Sequence, residues 1–382
     1  MKKNSIRVLS IAIVFALILS LSAVFVACNH DDDNTPPYVE PSVYDALKGD
    51  SDRVILFIGD GMGVNHVKTG EAYFGRTLFE GFDQTGLVNT SCSATAIATD
   101  SAAAASAMAT GQKYNRGYVS YQNGKNQTTV SEYAKSLGKG VGIVTTDTLS
   151  GATPAAFSAH TRSRSNKDEI IACQLQSGID IFLGAGLTTW EGDKVNYNDY
   201  RTRFEENGYT FCDAYSELSL DSAKVIGTFS EVANYNSTDE TPTLKQLAEF
   251  AVKFLEKKYP NGYFLMIEGA HIDKTSSKKD MDNMLKYLDE FDNAVEAVKA
   301  QMSDKANYSM ILTADHECGD LQYNGETKEQ ISSSMFNATY HTKADVYYYT
   351  DFKLKSGAKF DFVKNIDNTD IFKMCHALIS NK

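Results

Sequence analysis

Five short segments, Val54–Ile58, Val141–Thr145, Ile179–Leu183, Tyr263–Ile267 and Met310–Thr313, are nearly unbroken apolar runs rich in β-branched residues, each ending in glycine or a polar cluster. A strand with one wet face alternates polar and apolar side chains, so runs without alternation belong to strands covered on both faces. Between them lie stretches with apolar residues at helical spacing, including Leu244–Lys257 and Met281–Met302. Strands alternating with helices predict an α/β fold, a three-layer sandwich around a mainly parallel central sheet. The polar stretch from Thr188 to Thr243 reads as loops or an inserted subdomain, and Tyr347-Tyr348-Tyr349 reads as a strand of mixed burial.

Open α/β sheets bind ligands beyond the carboxyl ends of their strands. Acidic residues and histidine gather at those ends here: Asp60 after the first run, Glu268 and Asp273 after the fourth, Asp315 and His316 after the fifth. Carboxylates and imidazole collected at one rim are the donors that divalent cations need. The segment Thr99–Gly111 contains Asp100-Ser101 followed by four alanines and reads as a short helix, capped at its start by Asp100 or Ser101 and ended by Gly111. A hydroxyl at that start sits among free N–H groups at the positive dipole end, which suits an alkoxide and a bound phosphate. The blander reading of Ser101 is a capping hydroxyl only.

Taken together, the segments resemble the alkaline phosphatase family. Phe57-Ile58-Gly59-Asp60-Gly61-Met62-Gly63 is similar to the family's first metal-binding strand end, and Thr99-Asp100-Ser101-Ala102-Ala103-Ala104-Ala105 to its phosphorylated-serine motif. Ala152-Thr153-Pro154-Ala155-Ala156 through His160 to Arg164, Glu268-Gly269-Ala270-His271-Ile272-Asp273, Thr313-Ala314-Asp315-His316 and His341-Thr342 follow in family order. The resemblance implies that Ser101 is a nucleophile that becomes phosphorylated, that Arg164 clamps two phosphoryl oxygens and that Asp100 orients its guanidinium. It implies one Zn2+ on Asp60, Asp315 and His316, Mg2+ on Asp60, Thr153 and Glu268, and a second Zn2+ on Asp273 and His341. Lys274 could reach phosphate through a water, or be a solvated charge. The implied activity is phosphate monoester hydrolysis with broad substrate tolerance. Members of the family are often dimers, which makes a second copy of the chain a candidate partner.

Two positions depart from that pattern. The family places a His four residues after the second zinc's Asp; here the position is Ser277, a poor zinc ligand. With Asp273 and His341 alone this site is expected to hold its ion weakly, unless His271 or Asp280 swings in. Gly151 stands where relatives often carry Asp or His beside the magnesium water. His66 and His376 read as ordinary core or surface histidines, and His160 as a structural support for Arg164.

The N-terminus adds an address. Lys2, Lys3 and Arg7 precede an apolar run from Val8 to Ala27, the form of a secretory signal, and Phe25-Val26-Ala27-Cys28 resembles a bacterial lipobox with Cys28 as the lipidated residue. The alternative is an uncleaved membrane anchor, since the run is long enough to span a bilayer. Residues 28–50, with Asp31-Asp32-Asp33 and three prolines, read as a solvated linker, leaving 51–382 as the catalytic domain. The expected location is extracytoplasmic, in a bacterial cell envelope with the membrane as partner. A formal charge of −12 argues against a nucleic-acid binder, which would carry a basic patch. Cys92, Cys173, Cys212, Cys318 and Cys375 show no CxxC spacing, so they read as small buried residues rather than as a thiolate metal site.

Rival readings remain open at this point. One is a phosphodiesterase or sulfatase of the same superfamily; the other is a non-catalytic phosphate- or metal-binding lipoprotein whose site decayed through Ser277.

Overall fold

The computed structural model describes residues 43–82, 84–186, 197–360 and 362–381. Its main sheet has ten strands, here numbered in chain order: β1 Arg53–Gly59, β2 Gln84–Asn89, β3 Gly140–Thr148, β4 Ile181–Ala185, β5 Tyr209–Cys212, β6 Lys224–Phe229, β7 Tyr263–Gly269, β8 Tyr308–Thr313, β9 Val346–Lys353 and β10 Asn365–Asp367. Their spatial order is β10-β2-β9-β8-β1-β7-β3-β4-β6-β5. All ladders are parallel except the two made by β9, which runs against β8 and β2. The five apolar runs are β1, β3, β4, β7 and β8. Residues Val54 to Ile58 and every residue of β7 are buried, as strands covered on both faces require.

Helices cover the two faces. They are α1 Val64–Phe74, α2 Ser101–Thr110, α3 Val130–Ser136, α4 Ala152–Ala156, α5 Lys167–Gln176, α6 Tyr197–Glu206, α7 Leu244–Lys258, α8 His271–Ser276, α9 Met281–Met302 and α10 Asn368–Ile379. α9 packs on α7, α8 and α1, whereas α10 packs on α2 and α3, and α9 and α10 both reach β1. The helix bounds expected at 244–257 and 281–302 agree with α7 and α9 to within a residue.

Two expected boundaries change. The stretch 188–243 is not simply loops: residues 197–206 form α6, and β5 and β6 extend the central sheet beyond β4. The linker does not run to residue 50, because Tyr44 and Leu47 are buried in the core, Gly49 N donates to Ala377 O at 2.8 Å, and Asp50 Oδ1 accepts from Ser356 N at 2.8 Å. The signal segment, Cys28 and the linker as far as residue 42 lie outside the described residues. Among the described residues no helix is long and apolar enough to cross a membrane.

The register of β1, β7 and β8 positions the site. Ile58 pairs with Glu268 on one side and Thr313 on the other, and Thr145 pairs with Glu268. Residues immediately beyond these partners therefore emerge at one level of the same rim: Asp60 from β1, Asp315 and His316 from β8.

Candidate active site

Ser101 opens α2, whose ten residues are all buried. A helix enclosed on every side needs small side chains, which its alanines supply. Asp100 is its N-cap: Oδ1 accepts from Ala103 N at 3.1 Å, and both carboxylate oxygens accept from Gly117 N, at 3.1 and 3.0 Å. Gly111 closes the helix in the left-handed conformation, φ 75°. Ser101, 4% exposed, is thus held at a capped helix start, its Oγ 3.3 Å from His316 Nε2 and 3.5 Å from Asp60 Oδ2.

Around that hydroxyl, His316 Nε2 lies 3.2 Å from Asp315 Oδ2 and 3.5 Å from Asp60 Oδ1. The Asp60, Asp315 and His316 donor atoms lie within 4.8 Å of one another. Backbone groups fix the cluster: Gly61 N and His316 N donate to Asp315 Oδ1 at 3.0 and 2.9 Å. Gly61 adopts φ 73°, and a Cβ there would stand 2.8 Å from the Asp273 Cα, so only glycine lets the Asp273 backbone approach this closely.

Asp273 forms the next part of the rim. Its Oδ1 lies 3.2 Å from His341 Nε2, His341 Nδ1 donates to Thr99 O at 3.0 Å, and the His341 ring stacks on His316 with centroids 3.6 Å apart. Glu268 is buried and receives a hydrogen bond from the Thr145 hydroxyl. Arg164 Nη1 lies 3.5 Å from Asp100 Oδ2, and Arg164 N donates to Gly117 O at 2.8 Å, so Gly117 holds the arginine's backbone and Asp100 its guanidinium.

The electrostatics are those of too many carboxylates in too small a space. Burial and the nearby Asp315, Asp273 and Glu268 hold Asp60 well above the usual carboxylate range. Burial, then Asp147, pushes Glu268 up to about 8 against the Thr145 and Thr153 hydroxyls. Burial pushes the His316 imidazole down; it acts likewise on His341, but the Asp273 carboxylate outweighs it and raises His341. For Asp273 burial works upward, yet the hydrogen bond from His341 and the nearby imidazoles hold it below its ordinary value. Asp60 Oδ1, Asp315 Oδ2 and His316 Nδ1 are buried without a hydrogen-bond partner. Buried polar atoms are rarely left so, and oxygen and imidazole donors converging on one rim fit divalent cations.

Several sequence expectations resolve differently. Lys274 is ion-paired to Asp147, whose carboxylate the sequence reading passed over. His160 supports the chain through Ser120 O at 2.8 Å and Glu132 Oε1 at 2.9 Å, rather than through Arg164. His271 lies against Tyr287 with ring centroids 4.6 Å apart, and Asp280 caps α9, so neither joins the Asp273 site. Ser277 also stays apart, its Oγ donating to Lys274 O at 3.1 Å. His66 bonds Ser276 Oγ at 3.0 Å and His376 stacks on Tyr133, both in structural roles. Cys92, Cys212 and Cys375 are buried free thiols, as small core residues would be. Cys318, also buried, instead stands beside Asp273 and His341. The signal for it was present, because alternate residues of an extended segment share a side and Cys318 is two residues beyond His316.

A family model described as alkaline phosphatase matches residues 52–371. Alkaline phosphatases 4 and 3 of Bacillus subtilis strain 168 are 31% identical over 303 residues and 32% over 308, each match covering 73% of this chain and 64% of that protein. The chain thus spans just under two thirds of those relatives' length. The alkaline phosphatase of Escherichia coli K12 is 27% identical over 333 residues, 69% of each chain. Among solved structures, alkaline phosphatase from the Antarctic bacterium TAB5 superposes with a TM-score of 0.75 at 24% identity, covering 86% of this chain and 98% of that one. That likeness speaks to the fold, the family model to the whole run of motifs, and the chain belongs to the alkaline phosphatase family.

Proposed function

We propose that this chain is a metal-dependent phosphomonoesterase that works through a phosphoserine at Ser101. The observation that carries the reading is the buried Ser101 Oγ, 3.3 Å from His316 Nε2 and 3.5 Å from Asp60 Oδ2, beside carboxylate oxygens with no partner. Asp60, Asp315 and His316 would hold one zinc, Asp273 and His341 a second, and Asp60, Thr153 and Glu268 magnesium. Such cations supply Lewis-acid stabilisation to negative oxygens. A His-to-Glu variant of TAB5 alkaline phosphatase has Mg bound in its M3 site, which supports magnesium as one of the cations.

Ser101 Oγ attacks phosphorus in line; the new Oγ–P bond forms as the ester O–P bond breaks, and the alcohol leaves with a proton. Water then attacks the phosphoserine and releases inorganic phosphate, restoring Ser101. The free N–H groups at the α2 start and the Arg164 guanidinium face the charge of the transferred group, and Asp100 keeps that guanidinium in place. A monoester carries more non-bridging charge than a diester or sulfate ester, which is what a cationic cradle of this kind rewards.

The test is to mix the zinc- and magnesium-loaded protein with an aryl phosphate, quench it at mildly acid pH, and map the modified residue by mass spectrometry. Phosphate on Ser101, with no turnover in Ser101→Ala, is the expected result. Phosphate release undiminished in Ser101→Ala rules the reading out, and faster cleavage of an aryl diester or sulfate reassigns the substrate. We further propose that the enzyme acts outside the cytoplasm, held to a bacterial membrane by lipid on Cys28; labelling with a radioactive fatty acid that survives in Cys28→Ser would refute that.

A further inference from the structure

We propose that Cys318 is a thiolate ligand of the cation held by Asp273 and His341, an inference that rests on the metal reading above. Residues Glu317–Cys318 and His341–Thr342 form a two-strand antiparallel ribbon in which Cys318 lies directly opposite His341. Directly opposed residues in such a pair project from the same face, with Cβ atoms about 4.5–5.5 Å apart. The backbone therefore brings thiol and imidazole together, although 22 residues separate them in sequence. Cys318 N donates to Gly61 O at 3.1 Å, which ties this ribbon to the turn carrying Asp60.

The side chains complete the argument. Cys318 Sγ, an Asp273 carboxylate oxygen and a His341 ring nitrogen all lie within 4.8 Å of one another, with Cys318 fully buried. The Sγ donates to Asp273 O at 3.8 Å, and the buried Asp273 Oδ1 faces the His341 ring nitrogen. Bond lengths of about 2.0–2.1 Å to oxygen and nitrogen in a tetrahedral site imply a ligand–ligand edge of about 3.3 Å, close to the 3.2 Å between Asp273 Oδ1 and His341 Nε2. Ser277 is not the missing ligand, because its hydroxyl is bonded to Lys274 O and its N–H donates to Asp273 O at 2.8 Å.

An oxygen, nitrogen and sulfur donor set selects zinc over magnesium, since thiolate is a soft ligand. As the metal–sulfur bond forms, the thiol proton passes to solvent. Three protein ligands leave one position open for substrate or water, the arrangement of catalytic zinc sites.

X-ray absorption on the zinc-loaded full chain tests this, with cobalt replacing zinc for optical spectra. We expect a sulfur scatterer at about 2.3 Å and a sulfur-to-cobalt charge-transfer band. Both should vanish in Cys318→Ser, with zinc affinity, measured by chelator competition, falling about 10–100-fold. Ser277→Ala should change neither signal. Zinc bound by nitrogen and oxygen alone in an enzyme that still forms phosphoserine overturns the inference and leaves the activity standing. A zinc–sulfur signal in a protein that never phosphorylates Ser101 does the reverse.

Discussion

Asp147 Oδ2 lies 2.5 Å from the point where a Cβ on Gly151 would stand, and its Oδ1 is ion-paired to Lys274. Asp147, arriving from the end of β3, thus places its carboxylate where a side chain at 151 would stand. Asp147 also helps to raise Glu268, so it acts on one of the residues proposed to hold magnesium. Asp147→Asn should lower magnesium affinity about tenfold, within the range for losses around a metal's direct ligands. Gly151→Ala should have a similar effect on magnesium and also cost stability, because a Cβ there displaces the Asp147 carboxylate and stands 2.9 Å from the Thr148 backbone oxygen, which must shift as well. Titration calorimetry of magnesium into the zinc-loaded protein checks both; unchanged affinity in the two variants would remove Asp147 from the site.

The central sheet was legible because β1, β3, β4, β7 and β8 are buried on both faces, a pattern that needs no partner to be recognised. Ser101, Asp60, Asp315 and His316 were legible because each sits in a local motif fixed by a strand end or helix start. Asp147 was not, and Cys318 only in part, since its spacing from His316 gives the side of the chain but not the neighbour. Cys318 matters through a bridge to a distant strand, and Asp147 through the space left by a missing side chain four residues later. β5 and β6 escaped notice because β5 is an edge strand in a polar stretch, where packing against β6 and α6 rather than composition decides the structure.

Asp100 serves three partners, the α2 N-terminus, Gly117 N and Arg164, and two substitutions separate the backbone bonds from the ion pair. Asn caps helices as well as Asp does, so Asp100→Asn should preserve stability while weakening the ion pair to Arg164. Asp100→Ala should cost about 1 kcal/mol or more through loss of the cap. Turnover should fall in both, by about tenfold in Asp100→Asn if about 1.4 kcal/mol of transition-state stabilisation is lost. Denaturant midpoints measured beside kcat decide the matter; an Asn variant with wild-type kcat would show that the arginine is held without this charge.

Gly61 is where the backbone of one ligand segment meets another. A side chain there would adopt a left-handed conformation and collide with the Asp273 Cα, which belongs to backbone and cannot rotate away. Gly61→Ala should destabilise the fold by on the order of 1–3 kcal/mol. Because Cys318 N and Asp315 Oδ1 are both bonded to Gly61, zinc content should fall with it. Urea unfolding and elemental analysis of the purified variant measure the two effects, and a fully stable, zinc-replete Gly61→Ala would contradict the packing described.

Glu290 should contribute to the pH dependence of stability. It is buried on α9, and Oε1 accepts from Lys245 N at 3.0 Å in the first turn of α7. Burial pushes it from 4.5 up to about 7, against the bonds from Lys245 and Thr243 and the Lys245 charge. Between those values the folded chain keeps a proton that the unfolded chain has released. The folded state therefore binds more protons in that window, and stability falls as pH rises through it, by up to about 1.4 kcal/mol per pH unit. Glu290→Gln keeps an acceptor for Lys245 and has nothing to ionise. The variant should gain stability relative to the parent between pH 5 and about 7 and then hold that advantage. Urea midpoints of the two proteins at pH 5, 6, 7 and 8 give the comparison; parallel curves would mean that Glu290 ionises in the folded chain as readily as in the unfolded one.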